Sequence, residues 1–199
     1  TLQMMLTSYE DPALRSVQIE DFSDIQYRGF IEGFYGGWDY KSRESLMRFA
    51  RDVKMNHYIY ASKTDPYHTS KWGELYPQSE IDQIQKLVKV GEETKCYYTW
   101  SVHISGFFTN LDTSNETAYN ERYQKLLAKF RQLYDAGVRK FDILNDDFGQ
   151  GTHEDVVNLL NKLTKEFIIP NNCKPITYCM QGYNKAWSKE AELSALKKL

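Results

Sequence analysis

Two adjacent carboxylates, Asp146 and Asp147, follow a short apolar run and are the residues of this sequence best suited to chemistry. The apolar residues 141–144 are typical of a buried strand, and residues 145–149 favour the end of that strand and a loop. Active sites of α/β barrels and open α/β sheets lie at the carboxyl ends of their strands. The two aspartates would also suit a solvated turn or the cap of the helix that follows, so the pair alone leaves both interpretations open.

Polar or aromatic groups also follow the other predicted strands. In the first such turn Gly33, Gly36 and Gly37 provide positive φ or a close backbone approach, either for a ligand or for a tight strand-to-helix turn. Lys63 and His68 lie in a second loop, where a ligand contact and an ordinary loop side chain are both compatible with the sequence. The remaining clusters occupy residues 103–106, 146–149 and 181–183.

Alternating strands and helices are predicted to position these groups. Apolar segments predict five strands, one beginning near residue 27 and the others at 56–61, 96–102, 141–144 and 176–180. Amphipathic periodicity predicts helices at 41–54, 79–93, 115–136, 154–167 and 188–199. We expect Ser42 to cap the first helix and Gly137 to follow the end of the third. This alternation predicts a parallel βα series with right-handed crossovers.

The predicted fold class is α/β, of the (β/α)8 TIM-barrel type. No glycine motif for binding phosphate joins a strand to a helix, which disfavours an open nucleotide-binding sheet. Clusters after every strand favour a barrel, because a barrel brings its βα loops to one face. A complete barrel needs about 250 residues, so we expect these 199 residues to hold its first half to two-thirds. Residues 1–24 are expected to be a linker or the tail of a preceding domain, and residues 25–199 the N-terminal part of a catalytic barrel.

Composition limits the classes of function. With 25 basic and 27 acidic residues the chain has no basic excess, so a nucleic-acid partner is not expected. Cys96, Cys173 and Cys179 lack C-x-x-C spacing, and neither a disulfide framework nor a zinc site is predicted. No apolar run approaches the roughly 18 residues of a membrane span. Because the chain opens on Thr1, we expect any targeting signal to lie upstream.

Three segments carry a resemblance to a known family. They are residues 28–36 (RGFIEGFYG), residues 55–68 (MNHYIYASKTDPYH) with Trp72 and the Tyr-Pro pair at 76–77, and residues 145–147 (NDD). In this order and spacing they resemble family 84 of the glycoside hydrolases. These are β-N-acetylglucosaminidases that include protein O-GlcNAcases and bacterial enzymes described as hyaluronidases.

The resemblance implies a barrel that removes terminal β-linked N-acetylglucosamine with retention, without a metal or organic cofactor. It implies that Asp146 orients the acetamido group of the substrate and that Asp147 is the general acid and base. By the same resemblance the backbone carbonyl of Gly33 contacts a sugar hydroxyl, Lys63 contacts the sugar and Tyr183 supports the intermediate. The implied partner is a carbohydrate or glycoprotein bearing N-acetylglucosamine, and an extracellular or cell-surface bacterial enzyme is favoured.

The sequence departs from the family pattern in its sugar-facing loops. Ser62 and Thr64 stand where the family usually has proline and aspartate, and residues 103–106 lack the usual proline-glycine. The family's asparagine and aspartate that grip the outer sugar hydroxyls are expected beyond Leu199.

Adjacent aspartates make chemical sense if the substrate supplies its own nucleophile. An acid and a nucleophile that flank a glycosidic bond stand about 5 to 5.5 Å apart, and an inverting pair stands farther apart, which neighbours in sequence rarely achieve. When the 2-acetamido oxygen attacks instead, the enzyme need only polarise the amide and protonate the leaving oxygen. Close like charges also raise one carboxyl pKa, which would help Asp147 hold a proton. The alternatives are an endo-acting, hyaluronidase-type glycosidase and a non-catalytic carbohydrate-binding barrel, and the intact aspartate pair argues against the latter.

Overall fold

The computed structural model describes residues 22–146 and 151–199, together with positions 10, 13, 16, 18 and 20. Most of the predicted linker at 1–24, and Asp147 with the three residues after it, lie outside the described residues. The strands are β1 (Gly29–Glu32), β2 (His57–Tyr60), β3 (Tyr97–His103), β4 (Phe141–Leu144) and β5 (Thr177–Cys179). The helices are α1 (Tyr40–Asp52), α2 (Gln78–Thr94), α3 (Ser105–Phe108), α4 (Glu116–Asp135), α5 (His153–Leu163) and α6 (Glu190–Leu196).

The five strands form one parallel sheet in the order β1-β2-β3-β4-β5, so each strand pairs with the next one in the chain. Strands stand about 4.8 Å apart, and the two edges of a flat five-stranded sheet would be far from each other. Here Ile31 of β1 and Thr177 of β5 line the same cavity, because the sheet curls into a half-barrel. The α/β part of the fold prediction is therefore confirmed, and closure into eight strands stays a prediction.

Side chains alternate between the two faces of this curled sheet. Tyr58, Tyr98, Trp100 and Phe141 point outwards and are buried in the core shared with the helices. The opposite, concave face carries the cavity, with Ile31, Ile59 and Leu144 among its lining side chains. Strand alternation thus separates a packed layer from a surface on which chemistry can take place.

Helix ends follow local capping rules, with one correction to the sequence analysis. Ser42 is not the N-cap of α1, because Asp39 precedes it and its side chain accepts a hydrogen bond from the Ser42 N–H. Gly137 follows α4 with a φ of 101°, as predicted. The helix predicted at 154–167 begins at His153 and changes after Leu163 into a π-helix over Thr164–Ile168.

Helix α3 was not predicted, because four residues are too few to establish a helical period. Among the described residues no helix combines the length and apolar character needed to cross a membrane.

Candidate active site

The carboxyl ends of four strands contribute predicted site residues to one cavity of about 470 Å³. Gly33 follows β1, Lys63 follows β2, Asp146 follows β4 and Tyr183 follows β5, and all four line it. Parallel strands place their carboxyl ends at one edge of a sheet, which explains why residues so distant in sequence converge. Asp147, the other predicted catalytic residue, lies outside the described residues.

The carboxylate of Asp146 has two oxygens in different surroundings. Oδ2 lies 3.9 Å from Lys63 Nζ, and the two side chains are 20% and 22% exposed. Oδ1 is buried and has no hydrogen-bond partner among the described residues. A buried carboxylate oxygen without a donor is costly, so this atom is suited to accept a further hydrogen bond.

Lys63 is positioned by a backbone hydrogen bond as well as by its ion pair with Asp146. Its N–H donates to Phe34 O at 3.2 Å, and the Ala61 N–H donates to Glu32 O at the same distance. These bonds continue the β1–β2 pairing beyond the strands and join the first two loops. The lysine is therefore partly enclosed beside Asp146, unlike a solvated surface side chain.

Glycine is structurally required at two of the three predicted positions in the glycine-rich turn. Gly36 has a φ of +77°, a region that L side chains rarely adopt. A Cβ on Gly37 would collide with Ser62 Oγ, so the first two loops approach too closely for a side chain there. Gly33 has neither feature, since a Cβ there would make only ordinary contacts with Ile31. Gly33 therefore has no positive φ, and a close approach of a ligand to its exposed, cavity-lining backbone stays a prediction.

A buried ion pair that was not predicted from the sequence anchors this turn on its outer side. Glu32 is fully buried and accepts hydrogen bonds from Arg43 Nε and Nη2, each at 2.9 Å. Glu32 Oε1 also accepts from the Trp38 N–H at 3.0 Å, which ties the two ends of the turn together. The sequence signal for this pair was a glutamate at an outward-facing position of an otherwise apolar strand, because a buried charge requires a partner.

The loop between β2 and α2 is fixed by buried polar groups. Asp65 accepts hydrogen bonds from the hydroxyls of Tyr60 and Tyr76, at 3.0 and 2.6 Å. Lys129 of α4 is completely buried and donates to the carbonyls of Tyr67 and Lys71, both at 2.8 Å. Burial lowers the pKa of Lys129 to about 7. These contacts make the loop that carries Lys63 a fixed part of the site.

His68 and His103 are both enclosed near the strand ends. His68 is fully buried, its Nδ1 lies 2.8 Å from Ser101 O, and burial lowers the pKa of its imidazole to about 4. The sequence left the role of His68 open, and the structure encloses its side chain within the protein. His103 Nε2 lies 2.9 Å from the carbonyl oxygen of Asp146, and its Nδ1 lies 2.9 Å from Ser105 Oγ.

Tyr183 follows β5, lines the cavity and is 51% exposed. Its ring meets that of Trp187 edge-on, with centroids 5.3 Å apart. Within residues 22–146 and 151–199 no three or more His, Cys, Asp or Glu side chains are grouped so that they could hold a metal ion. Asp146, Lys63, Tyr183 and His103 thus bring a carboxylate, an ammonium, a phenol and an imidazole to this edge of the sheet.

Comparison with known proteins identifies the family. The model of the β-N-acetylglucosaminidase family matches residues 28–199. The chain belongs to this family. The resemblance to family 84 of the glycoside hydrolases is confirmed by two solved structures named CpGH84D and CpGH84B.

Solved structures resemble this chain in sequence and in fold. CpGH84B is 31% identical and covers 100% of this chain with a TM-score of 0.87, whereas CpGH84D is 40% identical over 80% of it with a TM-score of 0.74. The protein O-GlcNAcase of Rattus norvegicus is 29% identical over 120 residues, and that of Mus musculus matches equally well. The chain spans 36% and 27% of the two solved structures and 12% of each curated relative.

Proposed function

We propose that this chain forms part of a retaining β-N-acetylglucosaminidase that removes terminal β-linked N-acetylglucosamine. The observation that carries the proposal is the carboxylate of Asp146, which lines the cavity near Lys63 and whose Oδ1 has no hydrogen-bond donor among the described residues. An acetamido N–H is a donor of the right kind for this oxygen. Membership of the β-N-acetylglucosaminidase family supports the same substrate class.

In the proposed reaction the acetamido oxygen of the substrate attacks the anomeric carbon and an oxazolinium ion forms, which keeps its N–H proton. Asp146 accepts a hydrogen bond from the acetamido N–H and stabilises the positive charge that develops on the amide. Asp147 gives its proton to the leaving glycosidic oxygen as the bond to the anomeric carbon breaks. Water then attacks the anomeric carbon and loses a proton to Asp147, which restores the acetamido group and the configuration.

The other three site residues are proposed to bind the sugar. The exposed backbone of Gly33 suits a carbonyl contact to a hydroxyl, because no side chain stands in the way. Lys63 supplies a cation 3.9 Å from Asp146, and its ammonium group can donate a hydrogen bond to a sugar hydroxyl. Tyr183 offers a hydroxyl and a ring face at the rim, which suits support of the oxazoline.

We also propose that residues 25–199 are the N-terminal part of a (β/α)8 barrel that further strands complete. The curl of the sheet and the larger size of the related structures support this proposal. The proposed substrate is a carbohydrate or glycoprotein with terminal N-acetylglucosamine, supported by curated relatives named protein O-GlcNAcase.

The test is hydrolysis of two aryl glycosides by the full-length protein. We expect turnover of the aryl N-acetyl-β-glucosaminide and little turnover of the matching aryl β-glucoside, which lacks the acetamido nucleophile. Equal turnover of both would contradict acetamido participation. No turnover of either, with retained binding of N-acetylglucosamine, would indicate a carbohydrate-binding barrel. Release of oligosaccharides from hyaluronan without cleavage of the aryl N-acetyl-β-glucosaminide would indicate endo action.

A further inference from the structure

His103 is the last residue of β3, and its imidazole reaches across to the chain that leaves β4. Its side chain is 11% exposed, so few water molecules can replace its protein contacts. Nε2 lies 2.9 Å from the carbonyl oxygen of Asp146 but 3.9 Å from Oδ1 of the same residue. The imidazole therefore forms a hydrogen bond with the backbone carbonyl of Asp146 and none with its side-chain oxygen.

Ser105 determines which nitrogen of this ring carries the proton. Its backbone N–H donates to His103 Nδ1 at 3.3 Å, and its Oγ lies 2.9 Å from the same nitrogen. Because an N–H can only donate, Nδ1 must act as an acceptor, which places the proton on Nε2. A proton on Nε2 is also what the Asp146 carbonyl requires, since a carbonyl oxygen can only accept. The two contacts therefore agree on one neutral tautomer.

The carbonyl that His103 binds belongs to the peptide group that connects Asp146 to Asp147. A peptide group is planar, so the direction of its carbonyl sets the direction in which the chain leaves Asp146. Other backbone bonds hold the residues just before it, from Asn145 N–H to Cys179 O and from Ile104 N–H to Leu144 O, both at 3.0 Å. The hydrogen bond from His103 fixes the backbone one residue farther along, at Asp146, the first residue of the proposed catalytic pair.

We propose that His103, with its proton held on Nε2 by Ser105, is a positioning residue that orients the Asp146–Asp147 peptide for catalysis. This inference rests on the proposed function, because it assigns the aspartates their roles. It adds a requirement for a hydrogen-bond donor at the end of β3. Misplacement of reacting groups by about 1 Å can cost about 100-fold in rate, so loss of this donor should lower kcat without a comparable change in KM.

The experiment compares variants of the full-length protein on an aryl N-acetyl-β-glucosaminide. His103→Leu removes the donor, whereas His103→Gln keeps an amide N–H that can reach the same carbonyl. We expect His103→Leu to lower kcat by about 10- to 100-fold with KM changed less than about 3-fold, and His103→Gln to recover most of the loss. His57→Gln is the matched control, because His57 is also buried but lies at the opposite end of its strand, beside Thr99.

Several outcomes would overturn the inference. If His103→Leu retains wild-type kcat per folded molecule, or if the Leu and Gln variants lose kcat equally, the donor has no positioning role. Should His103→Leu not fold, His103→Met replaces it, because methionine fills the space without an N–H donor, and we expect the same loss of kcat relative to His103→Gln. An unchanged kcat in His103→Met would then contradict the inference. An inactive wild type would instead overturn the proposed function, and the inference with it.

Discussion

The two side-chain oxygens of Asp146 perform different tasks in the proposed reaction, because one lies near Lys63 and the other is buried without a donor among the described residues. Asp146→Asn keeps the size of the side chain but removes the charge that would stabilise the growing positive charge on the acetamido group. We expect a loss of about 3 kcal/mol in transition-state stabilisation, by analogy with the removal of one oxyanion-hole donor. Steady-state kinetics should place this loss in kcat, since the interaction strengthens in the transition state. A change confined to KM would contradict the assignment.

Asp147 is proposed to donate a proton to the leaving group, so its importance should depend on how much the leaving group needs one. Asp147→Asn should slow substrates with poor, alkoxide-like leaving groups by roughly 10² to 10⁴-fold. Substrates with strongly activated aryl leaving groups should be much less affected in the glycosylation step. The measurement is kcat/KM across a series of leaving groups for both proteins. An equal loss for all of them would remove Asp147 from the acid role.

His68 should make the stability of the fold depend on pH. Its buried imidazole has a pKa of about 4 against an ordinary value of about 6.5, so the unfolded chain binds a proton at a higher pH than the folded chain. Stability from this group is complete above about pH 6.5 and is lost as pH falls towards 4, by on the order of 3 kcal/mol. His68→Asn keeps a donor for Ser101 O but cannot be protonated.

Denaturant unfolding of the wild type and of His68→Asn between pH 7 and 4 isolates this contribution, because the other titrating groups are common to both proteins. We expect the difference in unfolding free energy between them to shrink in that range. A difference that stays constant would mean that His68 is accessible to protons in the folded state.

The convergence of Gly33, Lys63, Asp146 and Tyr183 on one cavity was predictable, because each follows a predicted parallel strand and such strands end at the same edge. The buried partners behind the site were not predictable in the same way. Glu32 and Arg43 are 11 positions apart, and Lys129 meets carbonyls at 58 and 62 positions from it. Local periodicity contains no information about which distant groups will meet, so buried polar pairs of this kind become visible only in three dimensions.

At the scale of elements, helix α1 is fastened to the end of β1 by the Arg43–Glu32 ion pair, whose side chains are 7% and 0% exposed. Arg43→Met leaves the Glu32 carboxylate buried without its cation, which should cost about 3 to 5 kcal/mol of unfolding free energy. Adding Glu32→Gln to this variant should restore part of the loss, because the uncompensated charge is then gone.

The same helix provides the control for this prediction. Arg48 contacts Glu44 and Glu93, but these side chains are about half exposed, so Arg48→Met should cost less than about 1 kcal/mol. Equal losses for Arg43→Met and Arg48→Met in denaturant unfolding would contradict the anchoring role of the buried pair.

Element positions were predictable to within a few residues where apolar periodicity is strong, as in α2 and α4. The predicted helix ends were wrong where a single residue determines where the helix begins or changes its period. Asp39 replaces Ser42 as the cap of α1, since both residue types suit the position and only the backbone geometry chooses between them. The π-helix after α5 was not visible either, because a helical period does not reveal the insertion of one residue.

At the scale of the whole molecule, a parallel βα series is compatible with both an open sheet and a barrel, because their local patterns are alike. The groups after every strand favoured the barrel, and the curl of the five-stranded sheet agrees with it. The curl brings β1 and β5 to one cavity, so that Gly33 and Tyr183, the residues proposed to contact the sugar, both line it. Chemistry at this edge thus depends on the shape of the sheet as much as on individual side chains.

The most direct test of the account is the rate at which the full-length protein hydrolyses aryl glucosaminides with acetyl, monofluoroacetyl, difluoroacetyl and trifluoroacetyl groups on nitrogen. Each fluorine makes the amide oxygen a weaker nucleophile without greatly changing the size of the group. If this oxygen attacks the anomeric carbon with Asp146 as its partner, kcat/KM must fall steeply along the series. A wild-type rate indifferent to fluorination would rule out acetamido participation, and with it the role proposed for Asp146.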